Sequence, residues 1–487
     1  MFGDLKRLGR ETLVYGFSTV VGRLLNFFLL PFYTHTLAPP QLGVVAALFS
    51  YIAFLNVVYA YGMDFAFMRE ASVEQPQRKN AAFSTAFWSI AVTSLFFSAL
   101  LHRAADFLGP SIGLAPELSA VVGYSAWILA LDAMALVPFA ELRLSHRAGA
   151  YAGIKIANIV ITLLLNYLFL AKLKMGVRGV FLANLAASSA TLTMLSPVIA
   201  RKLGAAFDRG IWRSLVGFGL PLVPAGLASM MVQVVDRPIV LAIAGAQAAG
   251  IYQANYKLGI FMMLVVSMFD MAWRPFFLQK AQDPDLKEVL ARVLTYFAAG
   301  GALIVLAVSL FISDIAAFPV LGRPLIHPAY WPGLTIVPVV LLGYLFNGLY
   351  VNFLAPVYLA KRSGLVVYAT AAGAAVNVIA NLVLIPRISI MGAAVATLLA
   401  YVAMAGVLHQ LARRVFPIPY EYGRLAHLGA VFAAFAGIGA LLFRLGGAPG
   451  FSLKLCLLVG MPGALAATGF FYEEEAAAFK NWLKRPA

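Results

Sequence analysis

Charge is what this sequence lacks most. Only 11% of its 487 residues are Asp, Glu, Lys or Arg, against roughly a quarter in a soluble domain. That shortage, with 62% hydrophobic residues, excludes a water-exposed globular enzyme and leaves an integral membrane protein. Acids are scarcest, at 20 against 36 Lys and Arg, a formal charge of +16. The excess does not call for nucleic acid. No basic run is interleaved with aromatics, and no soluble domain could hold such a partner. The one cysteine, Cys456, lies in an apolar run, so no intrachain disulfide can form. The six histidines are scattered without metal-ligand spacing. No intramembrane carboxylates are paired for acid–base work. No catalytic residue, metal or cofactor is therefore expected. Long polar connections are missing too. The longest outer one, Asp314 to Pro332, has about twenty residues, too few for an independent domain.

What is present is apolar length. Fourteen stretches can each cross a bilayer: 13–36, 42–64, 82–101, 117–140, 150–171, 177–199, 214–242, 249–272, 293–313, 333–358, 364–385, 390–411, 425–445 and 452–472. The amino terminus carries Lys6, Arg7 and Arg10 before a long apolar run without a small-residue cleavage site. It reads as an uncleaved first span. Of the 36 Lys and Arg, 24 fall in one set of connections, 9 in the opposite set and three inside spans. Basic connections face the cytoplasm, which places both termini there and makes this a multi-pass plasma (bacterial inner) membrane protein. The tail from Glu473 to Arg485 reads either as a short amphipathic surface helix or as a solvated helix end.

A shift of 207 residues sets Pro31 on Pro238, Gly43 on Gly250 and Phe54 on Phe261. Both halves start from the cytoplasm and hold six spans. The expected fold class is an all-α integral membrane protein with about 14 transmembrane helices. Two parallel six-helix lobes, 1–205 and 206–415, would surround a central cavity. Two further helices follow over 416–472, then a cytoplasmic tail over 473–487.

The residues also resemble a known family. Leu37-Ala-Pro-Pro-Gln-Leu-Gly43, a helix ending Tyr61-Gly-Met-Asp64, and Met68-Arg-Glu70 resemble the start of the polysaccharide-biosynthesis flippases. These are the O-antigen and exopolysaccharide unit translocases, in the superfamily of the lipid II flippase and the MATE exporters. Gly219-Leu-Pro221, Asp236-Arg237, Gly250-Ile-Tyr252, Asn381 through Pro386, and Met391-Gly-Ala-Ala394 are similar to the family's second half. The departure is Pro238, directly after Asp-Arg, which implies a local break in the helix there. The resemblance covers residues 10–410. It implies alternating access and a cargo of polyprenyl-pyrophosphate-linked oligosaccharide carried to the outer leaflet. Lipid-linked oligosaccharide, membrane lipids and other polysaccharide-assembly membrane proteins are the implied partners. An ion-coupled multidrug or small-molecule exporter of the same superfamily is the alternative. A membrane-embedded polymerase or ligase is a further one, though it would be expected to carry a large outer loop with paired charges.

Such a cargo needs cations for its pyrophosphate and hydrogen-bonding groups for its sugars. Three cations lie inside spans: Arg23, Lys155 and Lys257. A charge at mid-bilayer costs about 2.5–3.5 kcal/mol, so each needs a protein interior or a wet cavity. Arg23 either grips phosphate through its planar fork of donors or pairs with Asp132. Met230 occupies its place in the second repeat. Lys257 lies in Gln253-Ala-Asn255-Tyr-Lys257 and either binds cargo or snorkels to the outer interface; Lys155 has the same choice nearer the cytoplasm. Of the many amides, Asn26, Gln233 and Asn255 are the substrate candidates, because they share spans with those cations or their repeat equivalents. Asp132 and Asp270 are the ion-coupling candidates; Asp270 also stands four residues before Arg274, the spacing of a helix ion pair. Asp236 and Arg237 are expected to cap or pair locally. Pro221 and Pro224 are hinge candidates, or static kinks. If Arg23 grips the pyrophosphate, Arg23→Ala stops labelled lipid-linked glycan reaching the outer leaflet while protein levels stay unchanged. Unimpaired flipping would remove that role.

Overall fold

The computed structural model describes residues 29–72, 76–320, 322–442 and 448–475. Arg23 and Asn26 lie outside the described residues. Residues 29–36 are helical. There follow α1 (Pro39–Ala60), α2 (Met63–Ala71), α3 (Pro76–Arg103), α4 (Ser119–Leu144), α5 (Ala148–Asn166) and α6 (Gly176–Lys202). Next come α7 (Arg209–Gly219), α8 (Val223–Val234), α9 (Asp236–Gln279), α10 (Leu286–Ala317) and α11 (Val337–Leu359). Then come α12 (Leu365–Val415), α13 (Tyr422–Leu442) and α14 (Ala448–Ala467). Among the described residues the only strands form a small antiparallel hairpin, Pro319–Val320 with Arg323–Pro324.

Among the described residues, eleven helical runs are long and apolar enough to cross a membrane. Two of them, Arg209–Gln279 and Leu365–Val415, each hold two of the expected spans, so thirteen of the fourteen are accounted for. Each long helix breaks where its two spans meet. In α9, Gly245 adopts φ 85, ψ 171, a region glycine visits freely. In α12 the break is at Ile388 and Ser389. Another falls at Val235, between α8 and α9, and Pro238 sits in the first turn of α9. A proline's missing N–H is harmless there.

By their contacts the residues fall into two units. The first holds 1–257, 326–333 and 374–397. Its core is α4, which packs against α1, α2, α3 and α6, with α5 laid along α6. Buried Ala126, Ala130, Ala133 and Ala140 line α4. Small residues let membrane helices approach closely, since no hydrophobic force drives them together in lipid.

Two backbone-on-backbone contacts tie later helices to this core. A side chain on Gly43 would collide with the Ala246 carbonyl oxygen, and one on Gly250 with the Pro39 carbonyl oxygen. Positions 39 and 43 map onto 246 and 250 by the 207-residue shift, so the contact is reciprocal. Gly62, at φ 69, meets Gly219 in the same way. It seats α7, whose amino end is capped by Asp208 Oδ1 accepting from Gly210 N at 2.7 Å and Ile211 N at 3.0 Å. Ser214 Oγ donates to Glu70 at 2.9 Å, Arg78 binds the same carboxylate at 2.7 Å, and Arg69 lies over Phe218. The Tyr61-Gly-Met-Asp64 and Met68-Arg-Glu70 stretches thus form the seat of α7. Pro221 lies in the 3-10 turn Leu220–Leu222 that follows, and Pro224 in the first turn of α8.

The second unit holds 258–325, 334–373 and 398–487. Here α10 packs against α11, α13 and α14. Lys454 of α14 pairs with Asp314 of α10 at 2.6 Å. Toward the opposite end of α10, Arg424 bridges Glu421 at 3.0 Å and Glu475 at 2.9 Å, with the Tyr472 ring 4.4 Å away. Thr295 of α10 donates to Glu421 at 2.6 Å. Helices α13 and α14 are thus pinned at two separated points.

The glycine contact predicts a sharp contrast. Gly250→Val forces backbone apart and costs at least the 1–3 kcal/mol typical of overpacking, about several degrees of melting temperature in detergent. Gly406→Ala, where an added methyl meets nothing within 4 Å, is neutral. Equal melting of the two variants would contradict the close approach.

Candidate functional site

Helical spacing gathers polar groups on one side of several first-unit helices. On α5, Lys155 and Asn158 are three residues apart; on α6, Asn184, Ser188 and Thr191 form a 4-then-3 stripe. Asp132 and Phe139 of α4 are two turns apart, and α1 adds Asn56 among Phe49, Ile52, Ala53 and Ala60. These faces enclose one cavity of about 530 Å³, within the range of small-molecule sites. Asp132 Oδ1 accepts from Ser188 Oγ at 2.7 Å. The Lys155 ammonium lies over the Phe139 ring, 4.3 Å from its centroid. Asn158 Nδ2 donates to Thr191 Oγ1 at 2.8 Å and to the Ala187 carbonyl at 3.2 Å. Asn184 Nδ2 is spent on the Val180 carbonyl of its own helix. One ammonium, one carboxyl, three amides and two hydroxyls face a space otherwise walled by apolar side chains. Such a lining suits a polar, hydroxyl-rich or charged ligand and offers no nucleophile–base pair or metal cluster for chemistry. Among the described residues, no three His, Cys, Asp or Glu are placed to hold a metal.

Two of the candidate residues, Lys155 and Asp132, thus come together; the other described candidates are elsewhere. Lys257 is half-buried on α9, its ammonium 5.8 Å from the Tyr33 ring centroid. Tyr33 in turn donates to Asn166 Oδ1 at 3.0 Å. Asn255 is fully buried and does not line the cavity. Its Nδ2 donates to the Ile251 and Tyr330 carbonyls, both at 2.8 Å, tying residues 328–336 to α9. Gln233 is exposed, and its side chain donates to Ser229 of its own helix. Asp270 pairs with Arg274 at 2.8 Å. Asp236 and Arg237 form a buried pair at 2.8 Å. Tyr252 donates to Asp236, and Arg237 donates to the Gln233 carbonyl and stacks over Tyr256.

The sequence alone does not single out Ser188, Thr191 or Phe139, and Asn56, Asn158 and Asn184 are three of its many intramembrane amides. The 184–188–191 stripe was the available signal. It is a polar line on an otherwise apolar helix, opposite the Lys155–Asn158 face.

Comparison with known proteins follows the same lines. The sequence model of the polysaccharide biosynthesis protein family matches residues 35–321, more than half of the chain. No curated protein matches the sequence. Among solved structures, the lipid II flippase MurJ in an inward closed conformation is similar with a TM-score of 0.76 at 13% identity, over 95% of this chain and 99% of that one. An inward-facing MATE family multidrug resistance transporter of the MOP superfamily gives 0.64 at 13% identity, over 84% and 99%. The Vibrio cholerae MATE transporter VcmN gives 0.58 at 15%, over 84% and 97%. At such identities the likeness is one of fold. The multi-pass all-α architecture is that of these transporters, and the chain belongs to the polysaccharide biosynthesis protein family.

Proposed function

We propose that this protein flips a polyprenyl-pyrophosphate-linked oligosaccharide from the cytoplasmic to the outer leaflet of the bacterial inner membrane. It does so by alternating access of two six-span repeats, 1–205 and 206–415, with both termini cytoplasmic. The observation that supports this most is the 530 Å³ cavity with Lys155, Asn56, Asn158 and Asn184 on its wall. A pyrophosphate cannot cross bare hydrocarbon, and sugar hydroxyls need partners wherever water is excluded. A prenyl tail has neither need and stays in lipid. The family match supports a saccharide, and a lipid-borne cargo is in keeping with the similar fold of the protein named as a lipid II flippase.

In this reading Lys155 grips the pyrophosphate and the amides hold the first sugars. Arg23 and Lys257 supply further positive charge along the path, and Pro221 and Pro224 let the helices rock. Other polysaccharide-assembly membrane proteins supply and receive the cargo. Asp132 favours a second reading, ion-coupled export of a cationic small molecule, since its carboxyl faces the same space.

Proteoliposomes holding a labelled lipid-linked glycan separate the two. Loss of a charge-assisted hydrogen bond costs about 1.5–3 kcal/mol, so Lys155→Gln slows flipping roughly ten- to hundredfold while Lys155→Arg retains most of it. Unchanged flipping by Lys155→Gln, with flux of a cationic dye lost in Asp132→Asn, would favour the exporter. For Lys257 the comparison is Lys257→Gln against Lys257→Arg. The expected result is rescue by arginine alone, and equal activity of the two would show that its charge is dispensable.

A further inference from the structure

Lys155 and Asp132 face one cavity from neighbouring helices. Opposite charges in a low-dielectric site attract strongly. Yet no ion pair within 4.0 Å joins them among the described residues, and each is held by a different partner. The Asp132 carboxylate is drawn toward α6 by the Ser188 hydroxyl at 2.7 Å, a short charge-assisted hydrogen bond. Ser188 is itself buried. The Lys155 ammonium rests on the Phe139 ring at 4.3 Å. That ring is fixed in turn. Phe139 is buried with Ala135, Leu142 and Leu195, and Tyr151 packs edge-on against it at 5.2 Å.

The two charges are therefore parked apart. We infer that Ser188 is a positioning residue that holds Asp132 off Lys155, leaving the ammonium open to the anionic group of the cargo. The inference rests on the reading that Lys155 grips that group. Its physical logic is competition. A carboxylate paired directly with Lys155 occupies the face an incoming phosphate needs, and the phosphate must first displace it. Held by Ser188, the carboxylate still offsets the buried positive charge at a distance without blocking it. An aromatic face is a partner that a phosphate displaces easily, because a ring stabilises a cation without neutralising it. Asn158, one helical turn from Lys155 on the same wall, has its Nδ2 committed to Thr191 and the Ala187 carbonyl, so the ammonium is the donor this wall offers an anion.

The test is binding of geranylgeranyl pyrophosphate to the purified full-length protein in detergent. Ser188→Ala frees the carboxylate to pair with Lys155 and weakens binding about tenfold or more, the low end of a close charge coupling. Ser188→Thr keeps the hydroxyl and binds as wild type does. Adding Asp132→Asn to Ser188→Ala removes the competitor and restores binding to the wild-type level or beyond. A purely structural serine could not be rescued in that way. If Ser188→Ala binds normally, or if the double variant stays as weak as Ser188→Ala, the inference fails. If Lys155→Gln binds as tightly as wild type, the reading beneath it fails as well. Loss in Lys155→Gln without loss in Ser188→Ala leaves that reading intact and overturns only the positioning role.

Discussion

A charge in hydrocarbon must be sheltered, and most of this architecture follows from that one cost. An unpaired ion in lipid is unfavourable by at least a few kcal/mol, so described charges in and at the ends of the spans have drawn partners around them. Asp236 and Arg237 satisfy each other, with Tyr252, Tyr256 and Gln253 closing over them. Asp270 has Arg274 and Lys454 has Asp314. Lys155 and Asp132 differ, because they share a cavity without joining. A buried pair left apart forgoes Coulomb energy. The structure accepts that cost at a polar hollow where a ligand's charge could recover it.

The second constraint is steric. Lipid tails are as apolar as the helices, so helices associate through close packing rather than through exclusion of water. The reciprocal contact of Gly43 and Gly250 takes this to its limit, with backbone against backbone. Its symmetry under the 207-residue shift gives a physical reason for the sequence echo. A contact made reciprocally by positions 43 and 250 needs a glycine at both. The Gly62–Gly219 contact seats α7 in a similar way, and the charged residues around Glu70 hold it there.

Much of the fold is legible in the sequence because bilayer thickness sets the length of every span. The breaks at Gly245 and at Ile388–Ser389 fall where span lengths require them. Local ion pairs are legible too, since Asp270 and Arg274 share a helix face by spacing alone. Which wall a polar residue faces is much harder to read. Asn255 and Lys257 are two residues apart on one helix, yet Asn255 is sealed against the Tyr330 carbonyl while Lys257 reaches toward Tyr33. Lipid-facing and protein-facing sides are both apolar here, so periodicity cannot separate an amide that packs from one that lines a cavity. Lys155 and Asp132 are 23 residues apart and meet only through the packing of α4, α5 and α6. Local spacing carries no trace of such a meeting.

The central claim is that the polar hollow serves a lipid-borne anionic saccharide. The most direct test is the substrate choice of the wild-type protein in proteoliposomes. One preparation carries a polyprenyl-pyrophosphate-linked oligosaccharide in the leaflet corresponding to the cytoplasmic face, the other a cationic dye. The account predicts that the glycan becomes accessible to a glycan-cleaving enzyme on the opposite side while the dye does not move. Movement of the dye with the glycan left in place would contradict it.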